Sequence, residues 1–253
     1  MKYRERRRLD FPSYFNQVHK MELTEEQKKA LKGQGYIAYK DGVHFSCRVL
    51  IEAGRMNAQE TRKITDVCET YGRGYFTLTQ RLNVEIPWIK YQDLETVARE
   101  LKDAGLSIGS AGMRARSAHT CKGDVCQASF FDTAEVAKRI NEQFYKGKYD
   151  VALPNKLKLT ISGCRNGCSK PQLGCIGLQG RKPGQVAITI GGMFAKEEHF
   201  VGRELPGLYS ISEALDIVEK AMDYYRENGL KGERFAKTVE RIGFETVANI
   251  LAI

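Results

Sequence analysis

Two cysteine pairs frame a lysine-bearing stretch: Cys121 and Cys126 in TCKGDVC, then Cys164 and Cys168 in KLKLTISGCRNGC. Four thiolates in two close pairs, far apart along the chain, suit a metal centre that ties two segments together. Soft sulfur ligands select iron–sulfur clusters, zinc or copper(I) over hard cations. The neighbouring cations narrow the choice. Lys156 and Lys158 precede the second pair, and Arg114 and Arg116 precede the first. A structural zinc clip has no use for converging positive charge, whereas a redox centre that binds an anion does. The competing readings are a zinc tetrad for the thiols and a solvated strand face for the lysines.

These residues belong to a chain of 253 residues, 42% hydrophobic and 28% charged, with a formal net charge of +9. That size serves one large domain or two smaller ones sharing a core. No apolar run reaches the roughly 18 residues of a membrane helix. The basic start, MKYRERRRLD, has no apolar stretch behind it and does not read as a secretory signal, so a cytoplasmic location is expected. Seven cysteines, an odd number arranged in tight pairs, favour metal ligation in a reducing compartment over disulfides. The positive charge calls for an acidic partner. It is spread along the chain without helix-turn-helix, RNP or zinc-finger spacing, so nucleic acid is not favoured over an acidic protein or a polycarboxylate cofactor.

The elements that position the cysteines follow from caps and periodicity. Thr24 with Gln27 forms a capping box for a helix stopped near Gly33. Residues 43–50 read as a strand, and Asn57 with Glu60 caps a helix ending at Gly72. YFTLT (75–79) and NVEIP (83–87) read as a strand pair, and a helix from about Gln92 stops at Gly105. After the joint GSAGM (109–113), Asp132 with Glu135 caps another helix. KLKLTI (156–161) alternates as a strand whose polar face carries both lysines. QVAITI reads as a further strand, and Ser210 with Glu213 caps a long helix to about Asn228. The tail from Gly232 is amphipathic and is expected to pack back as a helix.

From about Gly42 to Glu245 the chain resembles the sirohaem- and [4Fe–4S]-containing sulfite and nitrite reductases, and among them the small single-half members. The resemblance rests on CRVLIEAGRM, the TLTQR stretch, the first cysteine pair, the P-x-K-x-K-x-x-x-S-G-C-x-N-x-C run at 154–168, IGLQG, and the turns at 183–184 and 191–192. It implies an α+β fold. Residues 1–40 would be an extension, 41–108 a ferredoxin-like half-domain (strand–helix–strand–strand–helix), and 109–253 an α/β sirohaem and iron–sulfur domain with a helical tail.

By the same resemblance Cys121, Cys126, Cys164 and Cys168 would hold the cluster, with Cys168 also bridging to the sirohaem iron. Arg48, Arg116, Lys156 and Lys158 would form the anion-binding quartet, and Thr79, Arg81 and Arg55 would meet the carboxylates of sirohaem. The sequence departs from the family in three places. Four residues, KGDV, separate the first two cysteines where five are usual; Leu82 replaces a usual glutamine; and Cys175 stands where an acidic residue is common. Cys175 reads as a buried thiol or as a spare ligand. His119 lies beside the first cysteine, without paired metal-ligand spacing.

The implied activity is six-electron reduction of sulfite to sulfide, or of nitrite to ammonia. Electrons would come from a separate donor such as a ferredoxin or a flavin/iron–sulfur subunit, since the chain shows no flavin or dinucleotide fingerprint. Self-association or a partner subunit would cover the open side of a single half. The alternative is a non-catalytic iron–sulfur electron carrier or reductase subunit.

Overall fold

The computed structural model describes residues 23–109, 111–195 and 198–252. Residues 1–22 of the expected extension, with His19, and Ser110 of the joint therefore lie outside the described residues.

The first unit is an antiparallel sheet backed by helices. Its elements are α1 (Glu25–Gln34), β1 (Tyr36–Ala38), β2 (His44–Leu50), α2 (Ala58–Tyr71), β3 (Thr77–Leu78), β4 (Val84–Lys90), α3 (Leu94–Asp103) and β5 (Ser107–Ile108). The strand order is β1-β2-β4-β3, with β5 also pairing β2. Ile64 and Val67 of α2 and Val97 and Leu101 of α3 are buried against Phe45, Val49, Ile86 and Ile89 of the sheet. The capping boxes at Thr24 and Asn57 form as expected. The helix α1 ends at Gly35 instead of Gly33, because Gly35 takes the left-handed conformation (φ 106°). A Cβ there would come within 2.6 Å of the Gly109 nitrogen. The expected strand 75–79 contracts to two exposed residues, since neither face of it meets a core.

The second unit carries β6 (His119–Thr120), α4 (Thr133–Ile140), β7 (Leu159–Ser162), β8 (Ile176–Lys182), β9 (Gln185–Ile190), β10 (Met193–Ala195), β11 (Glu198–Phe200), β12 (Arg203–Glu204) and β13 (Tyr209–Ser210). The helices α5 (Ile211–Asn228), α6 (Phe235–Ile242) and α7 (Phe244–Leu251) follow. The main sheet runs β12-β9-β8-β7-β6, with β13 also on β9. The pairs β6–β7 and β7–β8 are parallel, and β8–β9 is antiparallel. Leu159, Ile161, Ile176, Leu178 and Ile188 build a core closed by Ala214, Val218, Ala221 and Tyr225 of α5. The lysine strand begins its ladder only at Leu159; before it, Leu157 makes an isolated parallel bridge to Ala115. The amphipathic tail is two helices, divided at Gly243 (φ 99°). None of the described helices is long and apolar enough to cross a membrane.

Candidate metal centre and anion site

The parallel pairing of β6 and β7 sets His119 opposite Thr160 and Thr120 opposite Ile161. Each strand then runs into its own cysteine pair. Cys121 donates its amide to the Ile161 carbonyl at 3.1 Å, and Gly163 donates its amide to the Cys121 sulfur at 3.3 Å. A single 3₁₀ turn over Gly123–Val125, closed by Cys126 N to Gly123 O at 2.8 Å, brings Cys126 back beside Cys121. Gly123 (φ 56°) must be glycine there, because a Cβ would lie 2.2 Å from Thr133 Oγ1. Cys121, Cys126, Cys164 and Cys168 all line one cavity of about 230 Å³, together with His119 and Ser129. Among the described residues no three His, Cys, Asp or Glu side chains converge tightly enough for a single metal ion. Four thiols lining one cavity suit a thiolate-held polynuclear cluster.

Cys168 lines a second cavity as well. That cavity, of about 510 Å³, also presents Gln80, Arg81, His119, Lys158 and Phe194. A third, of about 640 Å³, presents Arg116 and Lys156 with Arg114, Lys29, Lys32 and Lys231, and Asp150 among them. Lys156 and Lys158, half-buried on either side of the buried Leu157, line different cavities and not the one shared face that strand alternation predicts, because the ladder starts only at Leu159.

These cations share one electrostatic neighbourhood. Burial pulls Arg81 down to about 10, with Arg48 adding to the effect. Burial, then Arg48 and Arg81, pulls Arg116 to about 10. Lys156 is lowered by burial, then by Arg234 and Arg116; Lys158 by burial, then by Arg81 and Arg234. His119 is pulled down to about 4 by burial and by Arg81, which keeps the imidazole neutral at physiological pH. Arg48, on β2, is also held by Glu85 of β4, its Nε donating at 2.8 Å and its Nη2 at 2.5 Å.

Three buried guanidinium nitrogens bear on the chemistry. Arg81 Nε, Arg114 Nη1 and Arg234 Nε are buried with no hydrogen-bond partner among the described residues. A buried donor left unmade costs about 1–3 kcal/mol, more for a charged group. Arg81 and Arg114 line the two cation-bearing cavities, where an anionic, acceptor-rich ligand would satisfy them, so the residues fit a polycarboxylate cofactor and an oxyanion.

The remaining predicted contacts fall elsewhere. The Thr79 hydroxyl accepts from the Asn83 amide at 3.1 Å, bracing the turn that aims Arg81, while Arg81 Nη2 donates to the Ser117 carbonyl. Leu82 adopts φ 63° and packs toward Gly54, outside the Arg81 cavity. Arg55 does not line that cavity either; it binds Asp124 and the Lys122 carbonyl. Cys175 is fully buried in the second core and lines neither thiol-bearing cavity, so it packs as a small hydrophobe. Its sulfur accepts from Arg234 Nη2 at 3.5 Å. Sequence reasoning missed Arg234: its 59-residue separation from Cys175 leaves no local signal.

Comparison with known proteins decides the family. The model of the nitrite and sulphite reductase 4Fe-4S domain matches residues 111–252, and that of the nitrite/sulfite reductase ferredoxin-like half domain matches residues 37–104. The chain belongs to the nitrite and sulphite reductase family. A coenzyme F420-dependent sulfite reductase of Methanocaldococcus jannaschii is 33% identical over 56% of the chain, which spans 22% of that relative's length. An assimilatory-type sulfite reductase of Nitratidesulfovibrio vulgaris is 26% identical over 85% of the chain and 95% of the relative. In fold, the protein is similar to the Mycobacterium tuberculosis NirA protein, with a TM-score of 0.78 at 16% identity, over 90% of this chain and 46% of the other. The α+β architecture with a ferredoxin-like half is thus that of the nitrite and sulphite reductases.

Proposed function

We propose that the protein reduces a small oxyanion, sulfite to sulfide in first place and nitrite to ammonia in second, by six electrons at a sirohaem joined to a [4Fe–4S] cluster. The observation that carries this reading is the double placement of Cys168. It lines the four-thiol cavity and also the cavity that presents Arg81 and Lys158. We assign Cys121, Cys126, Cys164 and Cys168 to the cluster, Cys168 to the shared ligand position, and Arg81 to the sirohaem carboxylates, with Thr79 holding its turn. We likewise assign 41–108 to the half-domain and 109–253 to the cofactor domain.

When bound, the two groups would supply stored electrons and a redox-active iron centre. The chain's own residues do the rest. Arg116 and Lys156 hold the oxyanion from one side and Lys158 from the other, with Arg48 reinforcing their field from β2. Fixed cations stabilise the charge that accumulates on the substrate. Reduction also consumes protons, and a lysine whose pKa is lowered by burial and neighbouring cations gives one up more readily. His119, neutral and facing both cavities, adds no further charge there. The electron donor would be a separate protein, a ferredoxin or a flavin/iron–sulfur subunit.

Purification without oxygen, followed by metal analysis, absorption spectroscopy and sulfite reduction with a reduced dye, tests the proposal. Iron in cluster and isobacteriochlorin, with sulfide produced, is expected. A colourless protein with one zinc per chain would overturn it. Protein with a cluster but no haem and no turnover would favour the electron-carrier alternative.

A further inference from the structure

Arg55 makes a contact that neither substrate binding nor haem binding explains. It sits between β2 and α2, just after Gly54 (φ 72°) and two residues before the Asn57 cap. Its guanidinium reaches a residue 69 positions away, Asp124, inside the four-residue loop between Cys121 and Cys126. Nη1 donates to Asp124 Oδ2 at 3.2 Å, Nη2 donates to Asp124 Oδ1, and Nη2 also donates to the Lys122 carbonyl at 3.2 Å. A planar fork held by both carboxylate oxygens and a main-chain carbonyl is fixed in direction as well as in distance. Both side chains are partly exposed, at 47% and 39%, so the pair adds little to global stability. Its effect is local, and it falls on the turn that places Cys126.

We propose that Arg55 is a positioning residue for the cluster: it clamps the Cys121–Cys126 loop to the ferredoxin-like unit and offsets the negative charge that Asp124 brings beside the thiolates. This rests on the assignment of Cys121 and Cys126 as ligands. The clamp acts in two separable ways. Mechanically, it holds a loop that is one residue shorter than the family's usual one. Electrostatically, a bare carboxylate near the cluster makes it harder to add an electron, and the guanidinium cancels that field.

The test uses anaerobically purified holoprotein: wild type, Arg55→Gln, Asp124→Asn, Arg55→Gln/Asp124→Asn and Arg55→Lys. Two quantities are read: the half-time of cluster bleaching by an iron chelator in air, and the cluster reduction potential by electron paramagnetic resonance. Arg55→Gln should bleach about ten times faster or more, the scale of an outer-shell loss at a metal site, and its potential should move negative. Asp124→Asn should move it positive, and the double variant should return it toward wild type while remaining labile. Arg55→Lys, which keeps the charge and loses the fork, should hold the wild-type potential with a shortened lifetime; this arm also serves if Arg55→Gln takes up no cluster. Iron-replete variants with wild-type lifetimes and potentials would overturn the clamp alone. Wild-type protein without iron would overturn the functional reading and the clamp with it.

Discussion

The Gly163 amide points at the Cys121 sulfur from 3.3 Å, across 42 residues of sequence, and so joins the two cysteine segments through a thiol and a backbone donor. Gly163 has no room for a side chain: a Cβ would lie 1.9 Å from Ser129 Oγ, which itself donates to the Phe131 carbonyl at 2.7 Å. Gly163→Ala should therefore push Cys164 away from Cys121, and iron content should fall to less than about half of wild type, as expected when ligand placement is lost. Adding Ser129→Gly should restore much of it. Unchanged iron in the single variant would show that the close approach is not needed.

Cys168 and Cys175 separate in function although both are near the lysines. Cys121→Ala or Cys126→Ala should cost the cluster, and Cys168→Ser should remove the magnetic coupling between cluster and haem, read by Mössbauer spectroscopy. Cys175→Ala should leave iron intact and lower stability by only about 1 kcal/mol, the scale of a small core truncation. Loss of iron in Cys175→Ala with retention in Cys126→Ala would reverse the ligand assignment.

Lys156 and Lys158 should each matter to turnover by charge and not by packing. Replacing either with Met should lower sulfite reduction at least about tenfold, equivalent to about 1.4 kcal/mol of transition-state stabilisation. Cluster and haem spectra should persist. A double Lys→Met protein with full activity, measured with an artificial donor, would reduce the pair to a solvated strand face.

The same lysines should cost stability. Burial and neighbouring cations lower both pKa values below the ordinary 10.5. A cation whose folded pKa is lowered binds its proton less tightly in the folded state. At neutral pH it therefore opposes folding, and the penalty fades as pH rises through the window between the folded and unfolded values. Lys158→Met should consequently raise thermal stability at neutral pH while lowering turnover at least about tenfold. A destabilised variant would contradict the desolvation argument.

A pH profile follows from the same shift with the opposite reading. The protonated lysine is the form that holds the anion and gives a proton, so turnover should fall as pH rises, along a limb lying below 10.5. Lys→Arg at both positions should move that limb upward, since arginine keeps its charge. An unmoved limb would assign the titration to another group.

The sequence revealed what is encoded locally and concealed what is not. The cysteine spacing, the capping boxes at Asn57 and Ser210 and the alternation around Leu157 and Leu159 all act within a few residues, and the structure contains each of them. Arg55 and Arg234 find their partners 69 and 59 residues away, where only the packed fold brings charges together. The Gly33 stop failed for a similar reason. Either glycine could end α1, and the close approach of Gly109 makes Gly35 the one that does. In the tail, the one signal of the break is Gly243 itself, whose φ of 99° ends α6 within an otherwise continuous amphipathic run.

The parallel ladder of β6 and β7 also bears on how the protein matures. Small metal-folded domains gain their structure from the ion itself. Here the two thiol-bearing segments are also brought together by strand pairing and by a core of isoleucines and leucines, interactions that involve no metal ligand. Contacts other than metal ligation thus share in holding the two cysteine segments side by side.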